Sequence, residues 1–146
     1  MINACCYIFY SGGTAALPSI LVVDDILEIR SLLKLFFQEE GYQVATAANG
    51  RDALRQLESW RPEVVLMDIK MPVMGGLEAL PLIKALAPST AVIIMTAYVE
   101  EALLKQIWHL GASDFIYKPF DLDDLKAKVQ LARSNLKQKS RRRAPY

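Results

Sequence analysis

Five side chains of chemically useful type follow directly on four short apolar runs. Asp24 and Asp25 follow residues 20–23, Asp68 follows residues 64–67, Thr96 follows residues 91–95, and Lys118 follows residues 115–117. Three carboxylates brought together repel one another and raise one another's pKa unless something positive sits among them. A hard divalent cation resolves that conflict, and an all-oxygen donor set without His or Cys selects Mg²⁺ or Mn²⁺. A cation flanked by an ammonium (Lys118) and a hydroxyl (Thr96) suits an incoming phosphoryl group. The positive charges balance its oxygens and the hydroxyl offers a hydrogen bond. An Asp can itself be the nucleophile, giving an aspartyl phosphate. Each residue alone also reads as a cap, a turn former or a solvated charge, so the inference rests on their joint placement.

That placement requires the runs to be neighbouring strands. Each is short, continuous and rich in β-branched residues, the pattern of a strand buried on both faces. The spacing predicts strands over residues 20–23, 42–47, 64–67, 91–95 and 115–117, each followed by a helix. The first helix starts at Ile26 and buries Ile29, Leu32, Leu33 and Phe36, with Gly41 supplying a left-handed turn after it. Asn49-Gly50 reads as a turn, and residues 51–60 as a helix burying Ala53, Leu54 and Leu57 and closed by Arg61-Pro62. Residues 77–86 form the third helix, distorted by Pro81, and residues 100–110 the fourth, ended by Gly111. Asp121 caps the last, with Leu122, Leu125 and Val129 inward. Five strand–helix repeats give an α/β, flavodoxin-like (βα)5 three-layer sandwich, with a parallel five-stranded sheet of order 2-1-3-4-5. In that order strands 1, 3, 4 and 5 are neighbours, and all five residues open on one crevice.

Composition narrows the class further. A chain of 146 residues with 53% hydrophobic content can build one domain with a real core. The formal net charge of +1 is unevenly spread: residues 1–17 carry none, residues 136–146 hold five basic side chains and no acid, and the span between is acidic overall. The expected division is a poorly ordered extension at 1–17, the domain at 18–135 and a basic, frayed tail at 136–146. The acidic balance gives no support to nucleic-acid binding by the domain itself. Cys5 and Cys6 are adjacent and lie outside the expected core, and the lone His109 reads as a partly exposed structural residue. No apolar run reaches the ~20 residues of a membrane span, and the N-terminal stretch lacks the positive region of a signal peptide. A cytoplasmic setting is the expectation.

Asp24-Asp25, Asp68, Thr96-Ala97 and Lys118-Pro119-Phe120, with Met71-Pro72 and Gly76 after the third strand, resemble the receiver domain of bacterial two-component response regulators. Glu40-Gly41-Tyr42-Gln43, Ala47-Ala48-Asn49-Gly50, the run 93–98 and Lys118-Pro119-Phe120-Asp121 are similar to single-domain receivers of the sporulation phosphorelay type. The resemblance implies that Asp68 is the phosphoacceptor. It implies that Asp25 and Asp68 bind Mg²⁺ directly, Asp24 through water, and the backbone carbonyl of Lys70 completes the protein ligands. Lys118 then pairs with the phosphoryl group, Thr96 turns inward to it, and Phe115 occupies the coupled aromatic switch position. The implied donor is a sensor histidine kinase or histidine phosphotransferase. The implied readout is a downstream protein on helix 4, strand 5 and helix 5 of a monomer or phosphorylation-dependent dimer. Ile26 stands where many members have Glu, and Gly75 where Asp is common; neither position is a ligand.

The expected activity is therefore signalling by a phosphoacceptor rather than conventional enzymology. The alternative is a receiver fragment of a larger regulator with a DNA-binding or enzymatic output domain. A phosphatase acting through Asp68 would want an acid/base carboxylate where Lys70 stands, and a flavin module would not need three acids. Lys70 and Tyr98, two residues beyond Asp68 and Thr96, flank the approach to the phosphoryl group and could exclude hydrolytic water, giving a long-lived phosphorylated state.

Overall fold

The computed structural model describes residues 17–97 and 100–143. Cys5, Cys6, Ile8, Phe9 and Tyr10 of the N-terminal stretch, and Tyr98, lie outside the described residues. Strands β1 (Ser19–Val23), β2 (Gln43–Ala47), β3 (Val64–Asp68), β4 (Ala91–Thr96) and β5 (Asp114–Tyr117) alternate with helices α1 (Leu27–Glu39), α2 (Gly50–Leu57), α3 (Gly76–Leu86), α4 (Glu101–His109) and α5 (Leu122–Arg143). All strand pairings are parallel, in the order β2-β1-β3-β4-β5. This is the sheet expected from the apolar runs.

Strand alternation explains the three layers. Ile20, Val22, Val64, Leu66, Ile93 and Met95 point to one face and pack with Leu33 and Phe37 of α1 and with Leu125, Val129 and Ala132 of α5. Leu21, Val23, Val65, Met67, Val92 and Ile94 point to the other and pack with Ala53 and Leu57 of α2, Leu80 and Ile83 of α3, and Ile107 of α4. Each fully buried aliphatic side chain contributes about 1.5–3 kcal/mol of transfer free energy, so the central strands β1, β3 and β4 are the best-anchored part of the molecule. Their carboxyl ends inherit that rigidity.

Several local expectations shift. The buried face of α1 runs through Leu33 and Phe37, while Leu32 is 51% exposed and Ile29 and Phe36 are only partly buried. Phe37 and Leu33 are fully buried in the core on this face of the sheet, and that tertiary burial selects the face over the stripe read from spacing alone. Asn49 does not make a free turn. Its side chain accepts a hydrogen bond from the Asp52 N–H at 2.9 Å and caps α2. Gly41 (φ 93°) is left-handed as expected, and α3 runs unbroken through exposed Pro81. The tail expected to fray after Asn135 continues as helix to Arg143, because Leu136 still packs on the core and the Lys, Gln and Arg that follow are strong helix formers. No described helix is long and apolar enough to cross a membrane.

Candidate functional site

Strand register brings the five residues together. Val23 of β1 lies opposite Met67 of β3, so the next residues, Asp24 and Asp68, emerge side by side. Asp68 lies opposite Met95 of β4, one residue before Thr96, and Thr96 lies opposite Tyr117 of β5, one residue before Lys118. The Lys118 N–H donates to the Thr96 carbonyl at 2.7 Å, tying the ends of β4 and β5 together.

Asp24 is fully buried. Its Oδ1 accepts from the Ile26 N–H at 2.9 Å and its Oδ2 from Lys118 Nζ at 2.7 Å. Its backbone is held as well: the N–H donates to the Ala47 carbonyl at 3.1 Å, and Arg30 Nη1 donates to the Asp24 carbonyl at 2.7 Å. Asp25 is exposed beside it. Asp68 Oδ1 accepts from the Ile69 N–H at 2.8 Å, and Oδ2 stands 3.5 Å from Lys118 Nζ. One oxygen from each of Asp24, Asp25 and Asp68 falls within 4.8 Å of the others. Burial pushes the Asp68 carboxyl above the ordinary carboxylate value; nearby Asp24 adds to the rise and Lys118 opposes it. Thr96 is 5% exposed.

The loop after β3 forms the floor. A Cβ at Gly76 would collide with the Asp68 carbonyl oxygen and come within 3.0 Å of the Ile69 Cα. Only glycine lets α3 begin this close to the carboxylate, and the Gly76 N–H donates to the Ile69 carbonyl at 2.8 Å. Val73 is held at φ 67° while the Met74 N–H donates to the Pro72 carbonyl at 2.7 Å, a γ-turn of the strained hand. The side chain of Val73 is turned to solvent.

Phe115 sits on β5 one strand away from Thr96. Its ring meets Trp108 edge-on at 5.8 Å and Tyr117 at 5.2 Å, and Lys128 Nζ lies 5.8 Å from its centroid. Lys70 is exposed in the β3–α3 loop and His109 is exposed at the end of α4. Asp24, Asp25, Asp68, Thr96 and Lys118 are thus brought to one end of the sheet, and Phe115 lies on β5 opposite Ile94 of β4. Arg30, Val73 and the aromatic neighbours of Phe115 were not singled out from sequence. Arg30 acts through a main-chain carbonyl that no side-chain pattern reveals, and Val73 occupies a backbone conformation its residue type disfavours.

The donor set fits a divalent cation. It offers carboxylate oxygens alone, more negative charge than Lys118 can balance, and one exposed member open to solvent. Comparison with known proteins agrees with this chemistry. Over 111 residues the chain is 44% identical to the sporulation initiation phosphotransferase F of Bacillus subtilis, covering 76% of this chain and 90% of that one. It is 43% identical over 117 residues to the regulatory protein AtoC of Escherichia coli, covering 80% of this chain but spanning only 25% of that relative. Among solved structures, the response regulator TrrA of Thermotoga maritima, in complex with Mg²⁺-BeF, superposes with a TM-score of 0.70 at 39% identity, covering 78% of this chain and 97% of the other. Residues 20–130 match the response regulator receiver domain, and the chain belongs to that family of signalling phosphoacceptors.

Proposed function

We propose that Asp68 takes a phosphoryl group from a phosphohistidine on a partner protein, a sensor histidine kinase or a histidine phosphotransferase. The observation that carries this reading is the position of Lys118 Nζ, 2.7 Å from Asp24 and 3.5 Å from Asp68. The lysine is anchored by one carboxylate and faces the other, so its charge is held where phosphoryl oxygens would arrive. Asp68 Oδ1 is occupied by the Ile69 N–H, which leaves Oδ2 as the attacking oxygen. Its lone pair forms the O–P bond as the P–N bond to the donor imidazole breaks, and the departing nitrogen keeps that electron pair.

Asp24, Asp25, Asp68 and the Lys70 carbonyl would hold Mg²⁺ or Mn²⁺. The cation supplies charge neutralisation at the phosphoryl oxygens. After transfer, Lys118 pairs with the new dianion and the Thr96 hydroxyl donates to it, contacts made in only one arrangement of the loops after β3 and β4. Moving an equilibrium from 1:99 to 99:1 requires ~5.5 kcal/mol of differential binding, within reach of a few charge-assisted hydrogen bonds. The readout is the α4–β5–α5 face, where Phe115 couples to the Thr96 movement and Trp108 and Tyr117, 43% and 48% exposed, offer a downstream protein an aromatic surface. Such a receiver works in the cytoplasm.

Phosphoramidate, a small P–N donor, tests the reaction without the partner. The expected result is labelling of the chain in Mg²⁺ that is abolished by chelation and reduced at least tenfold in Lys118→Met. Labelling indifferent to both would refute the reading. Lys70 is proposed to shield the acyl phosphate from water, so Lys70→Gly should lose label several-fold faster. An unchanged rate of loss would remove that role.

A further inference from the structure

The end of the molecule opposite the carboxylates carries an unbalanced positive charge. From residue 125 to residue 143, α5 holds eight basic side chains and no acid. The first three are each matched by an acid on the body: Lys126 with Glu40 at 2.7 Å, Lys128 with Asp114 at 3.0 Å and Arg133 with Glu63 at 3.1 Å. Leu136 then makes the last core contact of the helix. Beyond it Lys137 and Lys139 are exposed and have no acid within ion-pair distance among the described residues. Arg141, Arg142 and Arg143 continue the run.

Two concavities flank this stretch. One, of about 610 Å³, is lined by Lys84, Ser113, Asn135, Gln138 and Lys139, and by Asp114, whose carboxylate is already paired with Lys128. The other, of about 540 Å³, is lined by Arg61, Ser89, Thr90 and Lys137, and by Glu63, whose carboxylate is already paired with Arg133. Lys84 is firmly placed in the first. Its Nζ donates to the carbonyls of Pro88 at 3.1 Å and Thr90 at 2.7 Å, leaving one of the three ammonium donors for a ligand. Its stem lies against Gly111, where a Cβ would come within 3.1 Å of Lys84 Cγ. Burial, and after it the charge of Lys139, hold Lys84 below the ordinary lysine pKa. An anion between the two ammonium groups would relieve that repulsion.

We propose that the groove between Lys84 and Lys139, together with the exposed Lys137 beside it, is a second binding site, for the phosphate backbone of duplex nucleic acid. Residues 137–143 contain no apolar side chain, and a helix lying on a membrane surface needs an apolar face to bury. A helix about 10–12 Å across matches a major groove about 12 Å wide, and Lys137 and Lys139 would meet the phosphates at its rim. The acidic balance of the domain, which argues against such a surface near the carboxylates, does not extend to this end.

The test is fluorescence anisotropy of the whole chain with a short fluorescein-labelled DNA duplex, titrated from roughly 50 to 200 mM salt. Affinity should fall with a log–log slope of about −0.9 per phosphate contacted. Lys84→Gln and Lys139→Gln should each flatten the slope by about one, so that the loss across this salt range shrinks about fourfold. Lys139→Gln touches none of the carbonyls that Lys84 caps, which separates binding from folding, and melting curves check both variants. Absence of binding at the lowest salt, slopes unchanged in both variants, or tighter binding to anionic lipid vesicles than to the duplex would each overturn the proposal.

Discussion

Asp68 is held in an uncomfortable state, and the discomfort is measurable. Folding desolvates its carboxylate and places it near Asp24, so its pKa rises above the ordinary 3.8. Between that value and the raised one, the folded chain keeps a proton that the unfolded chain releases. The contribution of Asp68 to stability is therefore fully present below pH ~4 and is lost as pH rises through the folded pKa. Asp68→Asn should melt higher than wild type at pH 7 in chelator, with the gap closing below pH ~4; a lower melting temperature for the variant would refute the sign. Val73 stores a different strain. A β-branched residue at φ 67° costs about 1–3 kcal/mol, and glycine removes most of it while adding freedom to the unfolded chain. Val73→Gly should raise the unfolding free energy from urea titration by about 1 kcal/mol, and Val73→Ala, which keeps a Cβ, should gain much less. The carboxylates, Thr96 and Lys118 were legible in sequence because each ends a run whose composition marks it as a buried strand. Val73 was not, because nothing in its neighbours announces a γ-turn around a β-branched residue.

At the scale of elements, strands were read more accurately than helix faces. A strand buried on both sides declares itself by composition, whereas a helix face depends on what it meets. Thus α1 turns Phe37 inward to the core beneath the sheet and leaves Leu32 exposed, although both are large apolar residues and either fits a helical stripe. The start of α3 is fixed by clearance. Gly76→Ala would drive a Cβ into the Asp68 carbonyl, and neither backbone can yield without moving the carboxylate. The expected cost is about 3 kcal/mol of unfolding free energy, accompanied by slower phosphorylation. An alanine variant with wild-type stability and labelling would show that the loop is free to shift. The continuation of α5 past Asn135 rests on helix propensity and on Leu136, not on an apolar repeat, and residues 137–143 carry no such repeat to announce it.

Across the whole molecule, charge is arranged in two poles. Three carboxylates gather at the carboxyl ends of the strands, and Arg61, Lys84, Lys137 and Lys139 gather at the other end. The fold order was legible because few right-handed arrangements of five strand–helix units exist; the poles were not, since they depend on which acids reach which cations in space. A cation bound only by the folded state stabilises it by about 2.7 kcal/mol at a hundredfold excess over its dissociation constant. Mg²⁺ should therefore raise the melting temperature of the wild-type chain, and Asp25→Asn should lose most of that rise. An equal rise in both would place the ion elsewhere.

Every role proposed for the site depends on Asp68 Oδ2 being the phosphoryl acceptor. Intact mass measured after incubation with Mg²⁺ and acetyl phosphate, followed by borohydride trapping and peptide mapping, addresses it directly. The expected result is one phosphoryl adduct per chain, with reduction converting Asp68 to homoserine and no adduct on Asp68→Ala. No adduct on the wild-type chain, or one that persists in Asp68→Ala, would contradict it.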